Sequence, residues 1–236
     1  MPKTPPKWQQ IATLLAEEIA QKTLRGQLPV EPILAQRFAV NRHTVRRAVQ
    51  ALESQGLVRI EQGRGTFVQE DLIDYQMGRR GRFSHSLAAQ SLSGASQILR
   101  SDVIIASDEV CQQLEIAAGS EVLKIEALDF VADQVVGVCT EYLPLPRFAG
   151  FHALLAEHGA MSDALRAAGV VSMSRKSSKI TARIPRAEVA AQLAQPKSQP
   201  VLYVESVYQD DHGQVIEYGI TRFAAHAIQL VITPEV

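Results

Sequence analysis

The stretch that most constrains the fold runs from Leu28 to Val68, and within it the run Asn41-Arg42-His43-Thr44-Val45-Arg46-Arg47-Ala48-Val49. Asn41 is a good helix N-cap, because its side chain can accept from backbone N–H groups that a helix start leaves unpaired. Val45, Ala48, Val49 and Leu52 then recur at i, i+3, i+4 and i+7, which gives one apolar stripe. At about 100° per residue, His43, Arg47 and Gln50 point away from that stripe, flanked by Arg42, Thr44 and Arg46. A helix with a packed back and a cationic, hydrogen-bonding front suits a DNA major groove.

A cationic helix face is often no more than solvated surface, so the neighbouring segments decide its meaning. Upstream, Ile33, Leu34, Arg37 and Phe38 predict a short amphipathic helix ending at Ala39-Val40, so two helices meet across a turn of a few residues. Downstream, Gly56 is a C′ stop, Leu57-Val58-Arg59-Ile60 reads as a strand, and Thr66-Phe67-Val68 returns as a second strand after Gln62-Gly63-Arg64-Gly65. This is a hairpin wing. Gly63 and Gly65 let the backbone approach a narrow groove while the Arg64 guanidinium reaches forward, which makes Arg64 a candidate minor-groove contact.

These residues resemble the winged helix-turn-helix regulators of the GntR family. The resemblance is carried by Leu28-Pro29, Glu31, Leu34-Ala35, Phe38, Val40, Arg42, Thr44-Val45-Arg46 and Ala48, then by Gly56-Leu57-Val58 and Gln62-Gly63-Arg64-Gly65-Thr66-Phe67-Val68. One position departs. Val30 stands where the family usually has a hydroxyl residue, so roughly 1 kcal/mol of cap energy is missing or supplied otherwise. Pro32 compensates in part by fixing its own φ in the first helical turn.

At 236 residues the chain has room for such a head and one larger domain. Its net charge of −1 is unevenly spread: residues 1–70 hold ten Lys/Arg against six Asp/Glu, and the remainder fourteen against nineteen. A basic head on an acidic body fits nucleic-acid binding by the head alone. Cys111 and Cys139 are too far from each other and from any His pair to suggest a disulfide framework or a zinc site, and no cofactor or metal is expected. With neither an apolar leader nor a run of membrane-spanning length, a soluble cytoplasmic protein without membrane association is expected.

Taken in order, Trp8, Ile11, Leu15 and Ile19 predict a helix that braces the helix-turn-helix, with Gly26 as its stop signal. Residues 1–69 form the expected DNA-binding domain, 70–81 the linker and 82–236 the second domain. The run Arg79-Arg80-Gly81-Arg82-Phe83-Ser84-His85-Ser86-Leu87 is either solvated surface or an anion-binding entry to that domain, with Arg82 and Ser84 as donors. Strands are predicted over Ile98–Ala106, Val122–Val131, Val135–Leu143, Lys179–Ile184, Val201–Gln209 and Val215–Phe223. Helices are predicted over Asp108–Glu115, Phe148–His158, Met161–Ala168 and Arg186–Ala194. Hairpin turns at Asp133-Gln134 and Asp211-His212-Gly213 make the sheet largely antiparallel, so the fold class is α+β.

This layout resembles the effector-binding domain of the HutC branch of GntR regulators, the UTRA type with a chorismate-lyase-like fold. The runs Asn41–Ala48, Arg79–Ser84 and Thr221-Arg222-Phe223-Ala224-Ala225 look most like the PhnF-type repressors of phosphonate or phosphate uptake genes. The resemblance implies an anionic ligand group held by Arg82 and Ser84 and by the Arg175, Ser177, Ser178 and Lys179 strand, with Glu217 and Tyr218 as further contacts. Glu126 and Asp129 stand where relatives often carry Arg, and Ala160 or the nearby Ser162 at a helix start. Glu126 and Asp129 either pair with Arg175 or Lys179 across the sheet, or read the cationic end of a zwitterionic ligand such as an aminoalkyl phosphonate.

The expectation is a non-enzymatic, ligand-responsive repressor that binds a pseudopalindromic operator in double-stranded DNA as a homodimer and answers to a small anionic or zwitterionic effector. The alternatives are a chorismate-lyase-like enzyme domain on a DNA-binding head, a GntR regulator of sugar or amino-acid catabolism, or an architectural DNA binder. No nucleophile with a base or metal-ligand set stands out for the first of these. The scattered histidines His85, His152, His158, His212 and His226 are given no role.

Overall fold

Asn41 starts the helix as expected: its Oδ1 accepts from the Thr44 backbone N–H at 2.8 Å and from the Thr44 hydroxyl at 2.9 Å. A computed structural model describes residues 5–61, 63–69, 72–79 and 82–233, in two compact units, Met1–Asp71 and Leu72–Val236. The turn residue Gln62 and the run members Arg80 and Gly81 lie outside the described residues.

The first unit holds α1 (Lys7–Ala20), α2 (Glu31–Arg37), α3 (Arg42–Ser54), β1 (Val58–Glu61) and β2 (Gly65–Val68). The α3 stripe of Val45, Ala48, Val49 and Leu52 is buried against Ile11, Ala12 and Leu15 of α1 and Leu34 of α2, and Val58 and Val68 close the same core. That burial, and not the helices' intrinsic propensity, holds three short helices together. Val30 makes no side-chain cap bond at the start of α2, where Glu31 and Pro32 fill the first turn instead. β1 and β2 pair antiparallel from Val58↔Val68 to Glu61↔Gly65. Gly65 sits at φ +118°, and a Cβ there would come within 2.6 Å of the Gln27 amide nitrogen. That amide in turn donates to the Arg64 carbonyl at 2.7 Å and ties down the wing tip.

The second unit begins with β3 (Ile73–Gln76), which falls inside the expected linker. The segment carries no legible period because it gains its order from a remote partner: β10 (Ile228–Val231) pairs with it in parallel. α4 (Phe83–Ala89) follows, where the sequence offered only a polar run; Leu87 and Ser86 are its buried residues. Next come β4 (Gly94–Ile105), α5 (Asp108–Leu114), β5 (Glu121–Val131), β6 (Gln134–Pro144), α6 (Phe151–His158) and α7 (Met161–Ala167). The chain finishes through β7 (Met173–Arg183), α8 (Ala187–Gln192), β8 (Val201–Asp210) and β9 (Val215–Ala224) before β10.

Six of these strands form one antiparallel sheet in the order β4-β5-β6-β9-β8-β7. β4 and β7 begin at Gly94 and Met173, earlier than expected. Gly94–Gln97 are exposed and Met173–Ser178 are largely half-buried without a clean alternation, so backbone pairing and not side-chain alternation defines the strands there. Around α6 and α7, Phe148, Phe151, Leu155 and Leu165 pack on Leu123, Ile125, Leu143 and Ile216. α5 packs through Val110 and Leu114 on Val122, Val207 and Tyr218. A third cluster joins Tyr75 and Leu87 to Val204 and Phe223.

Candidate functional site

On α3 the side chains of Arg42, His43, Arg46, Arg47 and Gln50 are exposed, and Thr44 is half-buried beneath its bond to Asn41. Two of the arginines are already engaged. Arg46 donates through Nε and Nη2 to the two Glu31 carboxylate oxygens, each at 2.9 Å, and this paired guanidinium holds the Glu31 carboxyl below its ordinary range. The Arg47 guanidinium lies 4.5 Å from the centre of the Trp8 ring, drawn there by the negative ring face. On the wing, Arg64 donates to Glu61 Oε2 at 2.7 Å and lies beside the Phe67 ring, between Gly63 and Gly65 at positive φ. The candidate DNA-contacting side chains therefore sit exposed on one helix and one hairpin, Arg46 and Arg64 each with an intramolecular anion in place of a phosphate.

The second unit holds a cavity of about 400 Å³ over the middle of its large sheet. Alternation along the strands aims Asp129 of β5, Cys139 and Glu141 of β6, Glu217, Gly219 and Thr221 of β9, and Ser206 and Tyr208 of β8 at it. Arg82, Phe83 and Ser84 at the start of α4 line it from one side, and residues 158–162 between α6 and α7 from another. Phe83 is fixed by the rings of Tyr75 and Phe223, with centroids 5.3 and 5.1 Å away, and this anchors its neighbours Arg82 and Ser84 over the sheet.

The polar groups in this cavity are mutually dependent. Arg82 pairs with Glu217 and lies over the Tyr208 ring at 4.9 Å. Burial alone would depress its guanidinium, but Glu217, Tyr208 and Glu141 hold it above its ordinary value. Asp129 accepts from Ser96 Oγ at 2.6 Å and from the Cys139 thiol at 2.9 Å, while burial pushes its carboxyl up. Burial also raises the Cys139 thiol, with Asp129 adding to the effect. The Glu141 carboxyl is pushed up to about 8, first by burial and then by Glu217 beside it. These pairs are sensitive to any charged molecule entering the cavity.

Among the expected effector residues, Arg82, Ser84, Asp129 and Glu217 come together here. Ala160 is the N-cap residue of α7, and Ser162 also lines the cavity. The others are placed elsewhere. Tyr218 faces the opposite side of the sheet, donating to Glu205 at 2.8 Å and stacking on Tyr142, because it is one residue out of phase with Glu217. Glu126 accepts from Lys124 at 2.6 Å.

The expected pairing of Glu126 and Asp129 with Arg175 or Lys179 is absent among the described residues, because β6, β9 and β8 separate β5 from β7. Arg175 instead donates to the hydroxyls of Tyr75 at 2.6 Å and Tyr208 at 2.9 Å and to the Gly78 carbonyl at 2.6 Å. Arg175, Ser177 and Ser178 border a smaller hollow of about 290 Å³ beside Arg79, and Lys179 borders neither cavity. Glu141 was missed. Its signal was available: it is the one charged residue in the strand Gln134–Pro144.

Comparison with known proteins agrees with this architecture. Residues 7–68 match the model for bacterial regulatory proteins of the gntR family, and residues 89–229 match the UTRA domain. The chain is 34% identical to the HTH-type transcriptional regulator RB1450 of Rhizobium meliloti (strain 1021), over 95% of this chain and 93% of that one. It is 31% identical to the probable transcriptional regulator PhnF of Escherichia coli (strain K12), over 97% and 95%. Its fold resembles the crystal structure of PhnF from Mycobacterium smegmatis, with a TM-score of 0.64 at 24% identity, over 96% and 99% of the two chains. No helix among the described residues is long and apolar enough to cross a membrane. A winged head with a cationic recognition helix, joined to a sheet domain with a polar cavity, places the chain in the GntR family of bacterial transcriptional regulators, in its HutC, PhnF-like branch with a UTRA domain.

Proposed function

We propose that this regulator is a cytoplasmic, non-enzymatic repressor of phosphonate or phosphate uptake genes that leaves or repositions on its operator when a small effector enters the cavity above the large sheet. The reading of target genes rests on the named PhnF relative, at 31% identity over nearly the whole chain. The observation that carries the ligand response is the cavity itself, where Arg82, Ser84, Asp129 and Glu217 meet. A small zwitterion suits that mixture of one guanidinium with hydroxyls and carboxylates.

One small head offers too little surface for high specificity, so two copies on a pseudopalindromic site are the expected assembly. Arg42, His43, Thr44, Arg46, Arg47 and Gln50 would meet the major groove, and Gly63-Arg64-Gly65 the minor groove. A fluorescence anisotropy titration of the full chain against the promoter of its own gene and neighbouring transport genes tests the proposal. Saturable binding with two heads per site, weakened by 2-aminoethylphosphonate and unaffected by unrelated sugars, is the expected result. Operator affinity that no small molecule changes would reject the ligand-responsive reading.

A further inference from the structure

The charge balance of the cavity identifies what its ligand must carry. Among the described residues that line it, Asp129, Glu141 and Glu217 bring three carboxylates against the one guanidinium of Arg82, with the His158 imidazole at the rim. Glu217 is matched by Arg82, and Asp129 receives two donors, from Ser96 and Cys139. Glu141 is different: it has no hydrogen bond or ion pair among the described residues. Directly across from it in the ladder stands Gly219, with no side chain to cover it. A Cβ at Gly219 would lie 3.9 Å from Glu141 Cγ and 3.6 Å from a Glu217 carboxylate oxygen, so the glycine leaves an open notch between the two acids.

A second group in the same wall is also unmatched. Arg82 is 11% exposed, and its Nε–H is buried without an acceptor among the described residues. The buried Arg82 N–H costs free energy unless a bound molecule supplies an acceptor, and the half-buried Glu141 carboxylate, with no protein donor among the described residues, offers the same molecule a place for a cation.

Building on the reading of this cavity as the effector site, we propose that its ligand is a small aminoalkyl acid whose ammonium group sits in the Gly219 notch against Glu141, with an anionic oxygen at Arg82. Glu141 is then the residue that selects for the amine. An anion lacking the amine would enter a wall with two carboxylates in excess, and its charge would be opposed, not matched.

Calorimetry and thermal shift on the full chain at pH 8.5 test this with four probes: 2-aminoethylphosphonate, β-alanine, ethylphosphonate and inorganic phosphate. The amines bind about tenfold or more tightly than the two probes without one, the size of a charge-assisted hydrogen bond. Glu141→Gln loses that preference while keeping or raising its own melting temperature. Gly219→Ala, whose added methyl meets its neighbours at ordinary contact distance, fills the notch and weakens the amines without unfolding the sheet.

Ethylphosphonate or phosphate binding as tightly as the amines leaves the cavity an effector site and overturns the ammonium assignment. So does unchanged amine binding by E141Q. If none of the four binds, the assignment also falls. The broader reading is then judged separately, by whether a small-metabolite extract releases operator from the wild type but not from G219A.

Discussion

Arg46 on the recognition helix and Glu31 on the helix before it form a two-pronged pair, with Nε and Nη2 each 2.9 Å from one carboxylate oxygen. Arg46 is exposed and Glu31 about one-third exposed, so the pair adds little to stability. Its effect lies in where it holds a cation that could otherwise reach any phosphate. Glu31→Gln therefore leaves the melting temperature almost unchanged and raises affinity for random duplex more than for operator. Anisotropy titrations over a salt series check this, with a steeper salt slope on random DNA as the expected sign.

On the wing, Arg64→Ala weakens operator binding severalfold or more in a gel shift while effector affinity stays the same. Gly65→Ala should fail differently. Its Cβ would meet the Gln27 amide at 2.6 Å in a backbone conformation that side chains rarely adopt. A loss of about 1–3 kcal/mol from the head, read as a lower melting temperature, accompanies its loss of DNA binding.

Val30 precedes α2 with φ −58° and ψ 151° and offers no side-chain acceptor. Val30→Ser supplies one, and Val30 is itself exposed, so little burial is given up. The head gains about 0.5–1 kcal/mol, measured by denaturant unfolding. Asn41→Ala runs the opposite way, losing about 1 kcal/mol with the bonds to Thr44.

The Glu141 carboxyl gives the body a pH dependence of definite sign. Its value is raised from 4.5 to about 8 in the folded protein, so the folded state holds a proton that the unfolded chain releases. Stability contributed by this group is present below pH 4.5 and falls as pH climbs to about 8, by a few kcal/mol in order of magnitude. The groups acting on it are Glu217, Arg82 and Asp129. E141Q flattens the slope between pH 5 and 8. Amine binding by the wild type at pH 7 releases a proton, which calorimetry in buffers of different ionisation enthalpy detects.

The head was legible because its information is local: a cap, a 3.6-residue stripe and glycines at a turn lie within Leu28–Val68. The central strands were legible for the same reason, since β5, β6, β8 and β9 alternate or run apolar. Strand order was not. Asp129 and Arg175 look like partners along the chain, and three intervening strands keep their strands apart. Ile73–Gln76 and Phe83–Ala89 were hidden because their order comes from Ile228–Val231 and from the Tyr75, Phe83 and Phe223 rings, far away in sequence. Of the cavity, Arg82, Ser84, Asp129 and Glu217 could be named in advance, whereas Glu141, the one charge in an otherwise uncharged strand, was passed over.

The parallel ladder of β3 and β10 sets an order of events during synthesis. Ile73 emerges from the ribosome soon after the head is finished, yet its neighbour Ile228 follows 155 positions later. The winged head can thus fold and meet a duplex while the sensing half still awaits its last strand. Under the proposed function, a copy still lacking β10 carries a finished DNA-binding head on an effector domain that cannot yet close.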